Sequence, residues 1–189
     1  MKISNLVDIP KTIMSIDAST NSLAFAIFSD GKLEKFGKIN FVGSVTYDKV
    51  VDAGAKIKAF FEHYAKGIDA IVIEHTVFMN SPKTAADLAL VQGAILGAAG
   101  VRRIRSVAPI TWQNFIGNKK PSKQEIADFK TANPGRSDSW MKSQIREQRK
   151  QKTIHFIEVQ YDKVVKDNDV ADAIGIGHYA INNWERLTK

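Results

Sequence analysis

The sequence predicts an α/β protein with a five-stranded mixed sheet, in which three antiparallel strands are followed by two parallel ones, and with helices on both faces. Three observations lead to this fold class. The first 41 residues contain three strand-like runs separated only by short turns. Helical and strand-like segments then alternate, as in α/β proteins. Further helical segments follow the last strand, so both faces of the sheet can be covered.

The amino-terminal strands predict an antiparallel meander. Residues 11–17 read as a buried strand, and a polar turn leads into the apolar run at 23–29. Asp30 and Gly31 form a pair that is typical of hairpin turns, so residues 32–41 are expected to return beside the second strand.

An alternation of helix and strand follows this meander. Apolar residues recur at helical spacing from Tyr47, which predicts an amphipathic helix that ends near Gly67. Residues 70–74 (AIVIE) predict a short central strand parallel to the first. The alanine-rich segment 82–100 predicts a helix, and residues 101–107 predict the fifth strand.

The carboxy-terminal part is predicted to be helical apart from one stretch. Pro109 suits the first turn of a short helix that reaches Gly117. Residues 118–138 are rich in prolines and other turn formers, so an irregular segment is expected there. Helices at about 139–161 and 169–186 complete the chain.

The composition is that of an ordinary globular protein and excludes several kinds of site. Of the 189 residues, 44% are hydrophobic and 25% are charged. The chain has no cysteine, which excludes disulfides, thiolate catalysis, iron–sulfur clusters and cysteine-ligated zinc. No apolar run is long enough for a secretion signal or a bilayer span. We therefore expect a cytoplasmic, intracellular protein without a membrane partner, in host cytoplasm if the source is a virus or phage.

The positive charge is concentrated in one segment. Residues 117–152 contain ten Lys or Arg and four Asp or Glu, and so carry +6 of the formal net charge of +7. A solvated helix surface can produce such a run. Because the rest of the chain is nearly neutral, we favour a surface that faces nucleic acid.

Four carboxylates stand out against their apolar surroundings. Asp17 ends the first strand and Glu74 ends the fourth, at the sheet edge where α/β proteins bind ligands. Asp169 and Asp172 are three residues apart and share one face of the last helix, whereas Asp167 is expected to point elsewhere.

Together these carboxylates predict a divalent metal site. Like charges that converge cannot all stay ionised without a cation. Oxygen ligands without His or Cys favour Mg²⁺ or Mn²⁺, and two such ions can align the attacking water and leaving oxygen of a phosphodiester. Taken singly, a carboxylate such as Asp17 or Asp169 is better interpreted as a turn or helix-cap residue, but the group of four favours the metal site.

Three segments resemble the RuvC-type Holliday-junction resolvases of the ribonuclease-H-like superfamily: SIDASTNSLAFAIF, IVIEHTVFMNSPKTAADLALVQGAILGAA and NDVADAIGIGHYA. The resemblance implies a single ribonuclease-H-like nuclease domain over residues 1–189, with a basic insertion at about 118–138. The length of that insertion suggests a divergent viral, phage or organellar member. The resemblance also implies that two Mg²⁺ or Mn²⁺ ions per active site are held by the four carboxylates: Asp17, Glu74, Asp169 and Asp172.

Further site residues follow from the same resemblance. Lys142 would approach the scissile phosphate as a catalytic residue. Phe78 would contact bases at the junction centre, although it could equally be an ordinary buried phenylalanine. Gln113 stands where many bacterial members carry a lysine, which Lys119 or Lys120 can replace. Together with the basic segment at 117–152, this gives the residues expected to bind DNA: Phe78, Lys119, Lys120, Lys123 and Arg146.

The implied function is a metal-dependent, structure-selective endonuclease that resolves four-way and other branched DNA by hydrolysis, leaving 5′-phosphate and 3′-hydroxyl ends. The two-fold symmetry of such a junction favours a homodimer, for which the helix at 82–100 is the expected face. Two alternatives remain open. One is a less selective nuclease that acts on flaps, mismatches or RNA–DNA hybrids, and the other is a non-catalytic branched-DNA-binding protein.

Overall fold

The computed structural model describes residues 9–63, 65–75 and 81–187, which include a five-stranded mixed sheet. The strand order is β3-β2-β1-β4-β5. The first three strands pair antiparallel, and the last two run parallel to the first, which confirms the predicted sheet. The strands are β1 Thr12–Ala18, β2 Ser22–Ser29, β3 Lys32–Asn40, β4 Ala70–Glu74 and β5 Ile104–Val107.

Six α-helices occur in the described ranges, followed by a short 3₁₀ turn at Trp184–Arg186. None of these helices combines the length and apolar character that a membrane span requires. The helices are α1 Thr46–His63, α2 Pro82–Ala99, α3 Pro109–Phe115, α4 Lys123–Ala132, α5 Asp138–Tyr161 and α6 Asn168–Asn182.

Helices cover both faces of the sheet, as predicted. Alternate residues of β1 point to opposite faces, so Met14 and Ile16 pack with α1 and α2. Ile13 points the other way and packs with Ile176 of α6 and Trp112 of α3. All five side chains are almost completely buried. The sheet therefore lies between two apolar layers, and its carboxyl edge stays accessible.

Helix α6 crosses the sheet at unusually close range because its contact residues are small. The Ser15 hydroxyl donates a hydrogen bond to the backbone oxygen of Ala173 at 2.7 Å. A side chain at Gly177 would overlap the ring of Phe28. This close packing places the amino terminus of α6 beside the carboxyl end of β1.

The expectation of an irregular segment at 118–138 is wrong, because α4 lies within it. A capping box starts the helix: the Ser122 hydroxyl accepts from the Glu125 amide, and the Glu125 carboxylate accepts from the Ser122 amide. Phe129 then stacks on Trp140 of α5, with ring centroids 6.0 Å apart. The prolines that suggested irregularity lie outside α4, so they delimit the helix.

Candidate active site

The carboxylates of β1 and β4 lie side by side at the carboxyl edge of the sheet. The two strands pair in parallel, with Ile16 opposite Ile73, so Asp17 and Glu74 occupy the next positions of the same register. The first turns of α6 bring Asp169 and Asp172 to this edge. All four carboxylates line one cleft of about 600 Å³.

These carboxylates share a site in which negative charge is costly. Burial, and then the charges of Glu74, Asp172 and Asp169, raise the pKa of Asp17 well above its usual range. Burial and the charges of Glu74 and Asp169 raise the pKa of Asp172 to about 7. Burial also raises the pKa of Glu74. A cation in the cleft would relieve this cost.

Trp112 fixes the side chain of Glu74. Its indole Nε1 donates to Oε2 of Glu74 at 2.7 Å, which partly offsets the effect of burial on the Glu74 pKa. The indole is fully buried against α6, where a side chain at Gly175 would come within 2.7 Å of its Cζ3 atom. Packing between α3 and α6 therefore orients a carboxylate of β4.

Lys38 of β3 supplies a positive charge to the acidic wall. Its ammonium donates to Oδ2 of Asp169 at 2.6 Å and to Oδ2 of Asp167 at 3.0 Å. Partial burial alone would lower the pKa of Lys38, but these two hydrogen bonds outweigh burial and the pKa is raised. Lys38 therefore stays charged at neutral pH.

Asp167 is not part of the cleft lining, as expected, but it is connected to the site through Lys38. Its Oδ1 caps α6 by accepting from the amides of Asp169 and Val170, while its Oδ2 binds Lys38. Asp167 is thus linked to Asp169 in two ways: both carboxylates bind the Lys38 ammonium, and Asp167 accepts a hydrogen bond from the Asp169 amide.

A basic wall faces the acidic one across the cleft. Burial raises the pKa of Asp172, whereas the charges of Lys150 and Arg149 lower it. The basic wall therefore interacts with a carboxylate of the acidic wall. The glutamine at the position of the family lysine, Gln113, also lines the cleft. The basic residues that line it are all on α5: Lys142, Arg146, Arg149 and Lys150.

The other residues expected to bind DNA lie elsewhere. Lys119, Lys120 and Lys123 are exposed and are not part of the cleft lining. Phe78 lies outside the described residues.

Comparison with known proteins gives matches in structure. No protein-family model matches the chain, and no curated protein matches its sequence. Thermus thermophilus RuvC in complex with a Holliday junction substrate superposes with a TM-score of 0.61 at 13% identity, covering 91% of this chain and 96% of that chain. A second structure of Thermus thermophilus RuvC gives 0.59 at 14% identity, with coverage of 94% and 98%. The chain has the RuvC fold.

At these identities the likeness to RuvC establishes the fold, and it confirms the ribonuclease-H-like architecture that the sequence motifs implied. The likeness covers 91% of this chain and 96% of the RuvC chain, so it extends over nearly the whole fold.

The residues present fit Mg²⁺ or Mn²⁺ in chemical type. All four carboxylates offer oxygen, and Asn168 adds a buried amide oxygen that lines the cleft without a hydrogen-bond partner. In the described part of the chain, however, no three acidic or histidine side chains are gathered closely enough to hold an ion as they stand. Ion binding would therefore require the carboxylates to move closer together.

Sequence reasoning did not single out several residues of the site: Lys38, Trp112, Arg149, Lys150 and Asn168. Trp112 is the one with a usable signal, since a tryptophan on a short helix directly after the edge strand is well placed to reach the carboxyl edge. Lys38 is one of three lysines spaced three positions apart on β3, and its partners are about 130 positions away. Arg149 was counted only within the basic segment.

Proposed function

We propose that this protein is a divalent-metal-dependent endonuclease that cuts four-way and other branched DNA by phosphodiester hydrolysis. One observation carries the proposal: four carboxylates from three elements of a RuvC fold share a cleft with a row of basic residues on α5. A matched structure is described as RuvC in complex with a Holliday junction substrate, which supports branched DNA as the substrate class.

The chemistry divides between the two walls of the cleft. Asp17, Glu74, Asp169 and Asp172 would hold two Mg²⁺ or Mn²⁺ ions. Bound there, the ions would activate water and stabilise charge on the phosphate oxygens.

The chain's own residues prepare the site. The Trp112 indole keeps Glu74 oriented towards the cleft, and Asp167 fixes the first turn of the helix that carries Asp169. Lys142 and Arg146 line the opposite wall, where they would bind the negatively charged DNA strand. Hydrolysis would leave a 5′-phosphate and a 3′-hydroxyl.

The insertion at 118–138 would extend DNA binding beyond the cleft. Asn118 lines the cleft, so Lys119 and Lys120 directly follow a cleft residue and lead outwards along the chain. Lys123 then begins α4, none of whose residues is buried. Base contact by Phe78 stays a prediction from the resemblance.

We also propose a homodimer, because a four-way junction presents two equivalent strands for cleavage. The outward face of α2 is nearly free of bulky side chains, and its one large apolar residue, Leu90, is 44% exposed. Small side chains allow two helices to approach closely. The exposed stripe consists of Ala86, Leu90, Gly93 and Gly97.

Cleavage of defined substrates tests the proposed function. The protein is incubated with a four-way junction, a flap, a linear duplex and an RNA–DNA hybrid of matched sequence, with Mg²⁺ or Mn²⁺ and with the Asp17→Asn variant as the control for contaminating nuclease. We expect fastest cutting of the junction. Equal cutting of flaps or hybrids would instead indicate a less selective nuclease, and binding without cutting would indicate a DNA-binding protein.

A further inference from the structure

Arg149 lines the cleft without an acidic partner. Its Nη2 donates to Oε1 of Gln113 at 2.5 Å and to the backbone oxygen of Asn118 at 3.3 Å. Both acceptors are neutral, and none of the ion pairs within residues 9–63, 65–75 and 81–187 involves Arg149. A half-buried guanidinium has lost water contacts that neutral acceptors only partly replace. Arg149 therefore forms no ion pair, although its charge reaches Asp172 across the cleft.

Two buried polar atoms beside the cleft have no hydrogen-bond partner. One is Nε of Arg149 and the other is Oδ1 of Asn118. Asn118 is 3% exposed, and its amide nitrogen donates to the backbone oxygen of Arg149 and to the Thr153 hydroxyl, so its orientation is fixed. A bound water can satisfy the Asn118 oxygen, whereas the Arg149 guanidinium, which forms no ion pair, favours an anion within hydrogen-bonding distance.

The arrangement of basic residues around Arg149 indicates which kind of anion binds there. Lys142, Arg146 and Arg149 all line the cleft from α5. Arg149 follows Lys142 by seven positions, which is a rise of about 10 Å along the helix. A DNA strand advances 3.4 Å per nucleotide, so this row matches about three nucleotides of one strand. A single small anion would use only part of such a row.

We propose that Arg149 binds a phosphate of the DNA strand beside the phosphate that is cut. Gln113 and Asn118 hold the guanidinium in place through Nη2, which leaves Nη1 to donate to a phosphate oxygen. The inference rests on the proposed nuclease function, and it adds a phosphate subsite to the two basic residues already expected to approach DNA, Lys142 and Arg146.

The test combines an Arg149→Gln variant with junctions in which one phosphate at a time is replaced by a neutral methylphosphonate, over three positions on each side of the cleaved bond. Single-turnover cleavage rates are measured for both proteins on every substrate. Arg149→Gln is expected to slow cleavage of the unmodified junction by about 30-fold or more, as for loss of one partner of a buried charged contact. One methylphosphonate should slow wild type by a similar factor and leave Arg149→Gln unaffected.

If every methylphosphonate slows both proteins equally, the proposal is overturned. Arg149→Gln should be insensitive to loss of the phosphate charge that Arg149 binds, whereas an arginine with a purely structural role would not produce this insensitivity. Arg102→Gln is the matched control: it removes an exposed arginine charge outside the cleft lining, and it should keep the wild-type pattern.

Failure of the proposed function is recognised separately. If wild type cuts no branched DNA, the salt dependence of junction binding tests Arg149 alone. Loss of one phosphate contact should then flatten the slope by about 0.7 to 0.9. An unchanged slope for Arg149→Gln would overturn the subsite.

Discussion

The Lys38 ammonium lies 2.6 Å from Oδ2 of Asp169, the first of the two carboxylates on α6. Lys38 belongs to β3 at the edge of the sheet, and its second contact is Asp167 at 3.0 Å. The acidic wall therefore contains its own cation in the absence of metal. A divalent ion that uses Asp169 has to compete with this ammonium.

We predict that Lys38→Met strengthens binding of Mn²⁺ to the DNA-free protein by about two- to fivefold, which corresponds to the ~0.5–1 kcal/mol of a partly exposed ion pair. The reason is that the variant removes both the competing contact and a nearby positive charge. Isothermal titration calorimetry measures the affinity.

Lys35→Met is the matched control for this prediction, because Lys35 is an exposed lysine of the same strand. It should leave the affinity unchanged. Weaker Mn²⁺ binding by Lys38→Met would show instead that Lys38 arranges the carboxylates for the ion.

The pH dependence of stability reports the buried carboxylates. Because the pKa of Asp172 is raised to about 7, the native state keeps a proton that the unfolded chain loses near pH 4. The free energy of unfolding of the metal-free protein should therefore fall as the pH rises from about 4 to 7. The raised pKa of Asp17 adds a change of the same sign.

Asp172→Asn should remove part of this dependence, so that the variant gains stability over wild type as the pH rises. Urea unfolding at a series of pH values in EDTA measures the difference in free energy of unfolding between the variant and wild type. The contributions of other titrating groups such as His178 cancel in this difference. Asp128→Asn, on exposed α4, should run parallel to wild type. A constant offset between Asp172→Asn and wild type would contradict the raised pKa.

The proposed dimer face gives a third prediction. Gly93 of α2 is exposed and has open space around it, so an arginine there should not disturb the fold. Gly93→Arg should nevertheless separate the dimer into monomers, as measured by light scattering after size-exclusion chromatography. Ala127→Arg on α4 should remain dimeric. A dimer that survives Gly93→Arg would place the interface elsewhere.

The basic insertion gives a fourth prediction. Replacing Lys119, Lys120 and Lys123 together by Gln should weaken binding to junction and duplex alike, and should flatten the salt dependence by about one unit per lost phosphate contact. The preference for junctions should barely change, because these contacts carry no information about branching. Fluorescence anisotropy over a range of salt concentrations measures both quantities. An unchanged slope would mean that these lysines face solvent.

The strand-borne part of the site could be predicted from the sequence because it follows from local patterns. A carboxylate that ends an apolar run marks the carboxyl end of a strand, and parallel pairing then places Asp17 beside Glu74. The helix-borne pair follows from the three-residue spacing of Asp169 and Asp172. In both cases the information lies within a few neighbouring positions.

The remaining features depend on contacts that no local pattern encodes. Lys38 meets Asp169 across 131 positions, and Arg149 meets Gln113 across 36. Helix α4 is a different case, since the capping box of Ser122 and Glu125 was readable but was outweighed by the turn formers on either side.

The most direct test of the carboxylate site is the cleavage rate of a four-way junction by Asp17→Asn, measured beside wild type in Mg²⁺, together with the junction affinity of both proteins. Asn keeps the shape of the side chain and removes one charge from the acidic wall. We predict cleavage reduced to the background rate, with junction binding that is unchanged or tighter because the DNA phosphates meet less repulsion. Near-normal cleavage by Asp17→Asn would contradict a metal-dependent nuclease site at this edge of the sheet.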